Sequence, residues 1–417
     1  MTKMVKLVFV AVLVLLLALP AAQADIADTT LDVVMLEVDE ALLLDASAAT
    51  VSYLPAGAQE PAFTVEVTMS PSREIGYDLP QQSVTLTVTG DPIDYPIFSQ
   101  RDYTVFSALE LTSGGGDATF TRLADWLQTG MIQQNEEIEL ATLASKPVVV
   151  YVNGQYWGQY MLREVISGET LCRQAGLGVE DADAVSIVYA SGWTQQGNRD
   201  AYQQLLAELS TAEHVDAAWL AERLDVDSYL DWLAVKMYLG DSDPSGVVYY
   251  QLPDGKWRCA DSRFSWGLFH STYVASDAYL SEDGMTVLHL DNSIFLSLLA
   301  VEEYRELFLT KVGTLYQTWT TEAMQSALDE CVAVMAPEMP AHFARWAPEN
   351  DTEVNSELSQ DPDEALAYWQ GRITRMRDGT MVKRPYYIYQ DIQTAFGLSE
   401  AEMVQYFGSE VPTAPAE

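Results

Sequence analysis

The spacing of apolar residues changes once along this chain, and that change limits what it can fold into. Up to about Tyr160 the chain is strand-rich: apolar and polar residues alternate in Ala62–Met69 and Ser83–Gly90, and Pro147–Val152 follows as a further strand. From Ala201 onward apolar residues recur every three or four positions, in AYQQLLAELS, AAWLAERL, VDSYLDWLAVKMYL, SIFLSLLAVEEYRELFLTKVGTLYQTW and TEAMQSALDECVAVM. The expected fold class is therefore α+β, with a β-rich N-lobe followed by a helical C-lobe. One helix is expected within the first lobe, over Ala118–Thr129, with Asp117 as its N-cap. No internal repeat emerges.

The chain opens with Lys3 and Lys6, an apolar run, and Ala22-Gln23-Ala24, the order of a secretory leader and its cleavage site. The expected organisation is a signal peptide over 1–24, a β-rich lobe over 25–165, a mainly helical lobe over 166–405 and a flexible tail over 406–417. The product is expected to be exported and soluble after leader removal. Its 22 Lys and Arg against 61 Asp and Glu give a net charge of −39. Such a charge repels nucleic acid and anionic membranes, which excludes both as partners. Cys172, Cys259 and Cys331 are odd in number and widely spaced, and the four histidines form no HExxH. No zinc site or histidine-activated nucleophile is legible in them.

Three stretches carry candidate chemistry. In Tyr151–Glu164, YVNGQYWGQYMLRE, Asn153-Gly154 predicts a tight hairpin turn, and Gly158 a bulge or a close backbone approach. In Leu111–Leu127, three glycines precede a helix; they offer either a phosphate cradle or a plain strand-to-helix loop, and no Walker lysine follows. In Met237–Phe269 a helix ends at Gly240, an acidic loop holds Asp241 and Asp243, and a hairpin turning at Pro253-Asp254-Gly255 leads into KWRCADSRFSWGLF. The loop mimics the first half of a calcium loop but has Leu252 at the twelfth position. On a strand, Cys259, Asp261, Arg263 and Ser265 share one face, and Cys259 is expected to be a buried, inert thiol.

The order of these stretches resembles the CotH family of spore-coat kinases, whose fold is an atypical protein-kinase-like one. The residues that carry it are Gly115-Gly116-Asp117 with Arg122 and Asp125, the hairpin Asn153–Glu164, Gly240–Asp243, and Arg263–Trp266, with Pro337–Trp346 and Lys383–Ser399 further on. The resemblance implies Asp243 as the catalytic acid that orients or deprotonates an acceptor hydroxyl. It implies Glu164, Asp261 and Arg263 as cofactor-binding residues and ATP as the cofactor, with magnesium only if the protein is active. Where the family carries its metal-binding aspartates this chain has Arg263 and Ser265, and Gly246 stands for a family asparagine, so no metal ligand is assigned. Two readings follow. One is a silent binding or assembly module at the cell envelope or spore coat, with envelope or coat proteins as partners. The other is an active secreted kinase that passes the ATP γ-phosphate to Ser or Thr of such proteins.

Overall fold

The computed structural model describes residues 29–38, 47–72, 79–212, 214–241, 246–264, 266–268, 292–353, 355–408 and 411–413. The expected leader, Asp243, Ser265 and part of the expected tail lie outside the described residues. So do Ser242 and Ser245, and with them most of the calcium-like loop.

The alternating half of the chain forms strands β1 (Asp32–Val38), β2 (Ser47–Leu54), β3 (Phe63–Pro71), β4 (Val84–Val88), β5 (Ile93–Asp94), β6 (Val105–Phe106), β7 (Ala108–Thr112), β8 (Ser145–Val152) and β9 (Gln155–Glu164). Seven of them close into a barrel in the order β1-β2-β3-β4-β7-β9-β8, sealed by parallel pairing of β1 with β8. Every second residue points inward, and Val34, Val51, Val67, Leu86, Leu109, Val148 and Leu162 fill the interior. At the β8–β9 turn, Asn153 (φ 49°) and Gly154 (φ 77°) are both left-handed, the geometry of a two-residue hairpin loop. The register slips between Val150 and Tyr151, opposite Gly158. Gly158 has φ 107°, and a Cβ there would lie 2.7 Å from the Trp346 indole nitrogen. Both readings of that glycine therefore hold at once.

The expected helix at Ala118 begins later, as α1 (Ala124–Gln133). Asp117 is the reason. Its carboxylate accepts N–H groups from Thr121 (2.9 Å), Leu123 (3.1 Å) and Ala124 (2.9 Å), so the chain winds once around it before the helix starts. That loop places Arg122 at φ 64°.

Beyond the barrel come α2 (Gly168–Gln174), β10 (Ser186–Tyr189), β11 (Thr194–Gln196), α3 (Arg199–Thr211), α4 (Ala217–Arg223) and α5 (Val226–Leu239). They are followed by β12 (Val247–Gln251), β13 (Trp257–Asp261), α6 (Ser293–Ala300), α7 (Glu302–Thr318), α8 (Thr321–Met335), α9 (Met339–Trp346), α10 (Pro362–Arg375), α11 (Met381–Phe396) and α12 (Glu400–Phe407). The long apolar run at 293–319 is split because Val301 is extended between α6 and α7. α5 is the central helix: it is capped by Asp225 and closed by left-handed Gly240, and every residue but Asp227 is buried. A four-stranded sheet, β11-β10-β12-β13, packs on it. Val247, Tyr249 and Cys259 face the helices, while Val248, Tyr250 and Ala260 face a second small core. The result is a mixed α+β architecture, a closed barrel joined to a largely helical part. No helix among the described residues is long and apolar enough to cross a membrane.

Strand β9 joins the two parts. Tyr160 and Leu162 point into the barrel, whereas Met161 joins the helical core and Gln159 and Arg163 flank it. Two cavities lie along this outward face, one on each side of Met161.

Candidate functional site

The Arg163 side holds the larger cavity, with an empty volume of about 1390 Å³. Its walls include Glu110 and Arg163 from the barrel, Tyr189 and Trp193 from the four-stranded sheet, and Ser262 and Arg263 after β13. Arg163 spans the junction. Its Nε lies 3.1 Å from Glu110 Oε2, and its Nη1 is 3.2 Å from Asp125 Oδ2 and 3.3 Å from the Ser262 carbonyl. Asp125 completes the bridge by accepting the Phe264 N–H at 2.6 Å. Tyr189 and Trp193 have ring centroids 4.9 Å apart, and burial pushes the Tyr189 hydroxyl up to about 12.

The segment after β13 does not continue as a strand. The Asp261 carboxylate accepts the N–H of Arg263 at 3.1 Å, an Asx turn that ends the ladder. Cys259 and Asp261 share the helix-facing side of β13, as alternation requires, but Arg263 has already left the sheet and lines the cleft. The backbone here is held at several points. Ser262 N–H donates to the Gly246 carbonyl (2.8 Å), Gln128 Nε2 donates to the carbonyls of Phe264 (2.8 Å) and Gly267 (3.0 Å), and Leu268 N–H donates to Leu239 (2.8 Å). Trp266 fills the niche of the glycine loop: a Cβ on Gly116 would lie 2.7 Å from its indole nitrogen. The glycines therefore admit a tryptophan, and the strand-to-helix reading of that loop is the one the geometry supports.

Behind this segment is a dry charge cluster. Lys236 on α5 places its Nζ 2.8 Å from Asp261 Oδ2 and 3.2 Å from Asp241 Oδ2, with all three side chains fully buried. Burial raises the Asp261 pKa; the Lys236 ammonium pulls it down, and Asp241 pushes it up again. Gly246 closes over the cluster so tightly that a Cβ would sit 2.0 Å from Asp261 Oδ1. An ammonium at this spot supplies the positive charge that two nearby carboxylates need. The same ammonium repels a divalent cation, so the acids of this cluster do not fit magnesium. Among the described residues, no group of three or more His, Cys, Asp or Glu is placed to hold a metal ion.

Glu164 follows the other parity of β9 and lies away from the cleft. It is buried, bonded by Arg101 through Nε (2.9 Å) and Nη2 (2.7 Å), and it accepts the Ala144 N–H (2.8 Å) and the Tyr103 hydroxyl. It borders a separate cavity with Tyr103, Ser167 and Arg173. Arg263 thus lines the cleft, Asp261 lies behind it in the Lys236 cluster, Glu164 borders a different cavity, and Asp243 lies outside the described residues. Cys259 is fully buried and its pKa is raised well above the ordinary thiol value by burial, as expected of an inert thiol.

Sequence reasoning missed Lys236 and Arg163. Lys236 had a signal: it is the one cation in YLDWLAVKMYL, a stretch otherwise apolar enough to be buried on all sides. Arg163 had only its place beside Glu164.

The family model for the CotH kinase protein matches residues 121–378, more than half of the chain. No curated protein matches the chain. The chain belongs to the CotH kinase protein family.

Proposed function

We propose that this CotH-family chain is a catalytically silent, kinase-fold binding or assembly module that acts at the cell envelope or spore coat. The observation that carries the reading is a reversal of charge. At the place of the family's metal-binding aspartates stand Arg263 and Ser265, and the acids beside them, Asp241 and Asp261, share the buried ammonium of Lys236. Phosphoryl transfer relies on metal ions to neutralise charge on the transferring group. A guanidinium instead binds a phosphate as a fixed fork and needs no metal to do so.

In this reading the cleft takes a nucleotide or another phosphorylated ligand. Arg263 would hold the phosphate, and the Tyr189 and Trp193 rings offer apolar faces for a base; the cavity is of the usual size for a small-ligand site. The Lys236 ammonium balances Asp241 and Asp261 without a metal ion. Envelope or coat proteins are the proposed partners. The leader-like 1–24 segment and the −39 charge support an exported, soluble protein that binds neither nucleic acid nor membrane.

The test is phosphotransfer and binding with the purified protein. No transfer of label from ATP to itself or to a generic acceptor is expected in magnesium or manganese. Nucleotide binding is expected to be weak, unchanged by chelator and lost in Arg263→Ala. Metal-dependent autophosphorylation that disappears in Asp243→Ala would overturn the proposal and establish the active-kinase alternative.

A further inference from the structure

On the Gln159 side of Met161 lies a second cavity, with an empty volume of about 580 Å³, enclosed by the Ala118–Arg122 loop, α9 and α10. Phe120, Phe343, Trp346 and Trp369 are prominent in its walls. Three of the polar groups that border it matter most. Arg122 is buried and has no carboxylate partner: Nη1 donates to the Ala118 carbonyl (2.9 Å), Nη2 to Gln81 Oε1 (2.8 Å) and the Gln159 carbonyl (3.4 Å), and Nε to Gln159 Oε1 (3.4 Å). These four bonds leave one of the five guanidinium N–H groups, on Nη1, without an acceptor. His342 is 2 % exposed. Its Nδ1 accepts the Gln159 N–H at 3.2 Å, which puts the ring proton on Nε2, and that N–H has no acceptor among the described residues. The buried Thr119 hydroxyl also has no partner.

Buried cations are normally paired, and leaving one unpaired is costly. Here the cost is compounded, because Arg122 is held at φ 64°, a conformation non-glycine residues avoid. Burial, with Arg122 and the Glu349-paired Arg345 beside it, holds the His342 pKa well below the usual histidine range, and neither Asp117 nor Glu349 lines the cavity. A buried pocket in which a guanidinium, an imidazole and a hydroxyl keep donor hydrogens without acceptors is a place for an anion.

We propose that this cavity binds a small carboxylic acid with a flat apolar body, its carboxylate on Arg122, His342 and Thr119 and its body among the aromatic walls. Three unmet donors, one of them charged, suit the two oxygens of a monoanion. A phosphate dianion brings more charge and more oxygens than these groups neutralise, and the apolar walls would leave it unsolvated. The site is separate from the cleft at Arg263 and does not depend on the reading given to that cleft.

Phenylacetate is the probe, titrated into the full chain with calorimetric detection, and phenylacetamide and inorganic phosphate serve as comparisons. Saturable phenylacetate binding at least tenfold tighter than that of phenylacetamide is expected, with no competition from phosphate. Arg122→Gln should weaken it tenfold or more, and Arg263→Ala should leave it unchanged. If Arg122→Gln does not fold, Ala365→Phe decides the matter, since it fills the apolar end of the cavity and should abolish binding with Arg122 in place. Equal affinity for acid and amide, no binding of either, or binding undiminished in the variant that folds would overturn the proposal.

Discussion

The two cavities flanking Met161 share one strand, yet they solve the problem of buried charge in opposite ways. On the Arg163 side the cations at the junction have acids beside them: Arg163 sits between Glu110 and Asp125, and Lys236 between Asp241 and Asp261. On the Gln159 side, Arg122 hydrogen-bonds only neutral oxygens, and His342 is kept uncharged. Paired charges make a rigid floor whose removal is expensive. An unpaired charge costs stability in the empty protein and returns it when a ligand supplies the counter-charge.

The strongest way to break this contrast is Lys236→Met. It removes the ammonium from Asp241 and Asp261 and is expected to cost about 3–5 kcal/mol in urea unfolding. Magnesium should raise the midpoint of that variant and leave the parent protein unmoved. An equal shift in both would show that Lys236 does not hold the place of a cation.

Gly158→Ala should come next. The new Cβ meets the Trp346 indole at 2.7 Å in a left-handed backbone, so about 2–4 kcal/mol is expected from strain and overpacking combined. Gly246→Ala acts on the other side, where the Cβ would strike Asp261 Oδ1, and about 1–3 kcal/mol is expected. Unfolding midpoints of the two variants measure how tightly each cavity wall is fixed.

The smallest effect is in pH dependence, and its sign separates two groups. His342 has a folded pKa depressed below 6.5, chiefly by burial. The folded state therefore binds fewer protons, and the stability His342 contributes is full above about pH 6.5 and lost as pH falls below it. Asp117 is raised to about 6, again chiefly by burial. Its contribution is full below its unfolded value of 3.8 and lost as pH rises toward 6. His342→Gln should flatten the first limb and Asp117→Asn the second, each by at most about 1.4 kcal/mol per pH unit. Stability curves of the variants that run parallel to the parent would remove these groups from the account.

The sequence by itself determined the architecture, because periodicity is local. The short apolar run Val148–Val152 suits a strand buried on both faces, and the three-and-four spacing of Val226–Leu239 suits a helical core. It also determined the hairpin, since Asn153-Gly154 tolerates the left-handed turn that joins β8 to β9. The tertiary structure decided everything that depends on partners distant in the chain. Asp117 took N–H groups up to seven residues ahead and delayed α1, which no propensity expressed. Asp261 and Arg263 parted company because a carboxylate turned back on its own backbone. Glu164, one residue from Arg163, points to a different cavity because side-chain direction alternates along a strand, and only the closed barrel decides which parity faces inward. Lys236 acquired its meaning from Asp261, twenty-five positions away, and Arg122 from having only neutral oxygens as hydrogen-bond acceptors. Charges act through space, and the chain's order does not record which of them the fold will bring within reach.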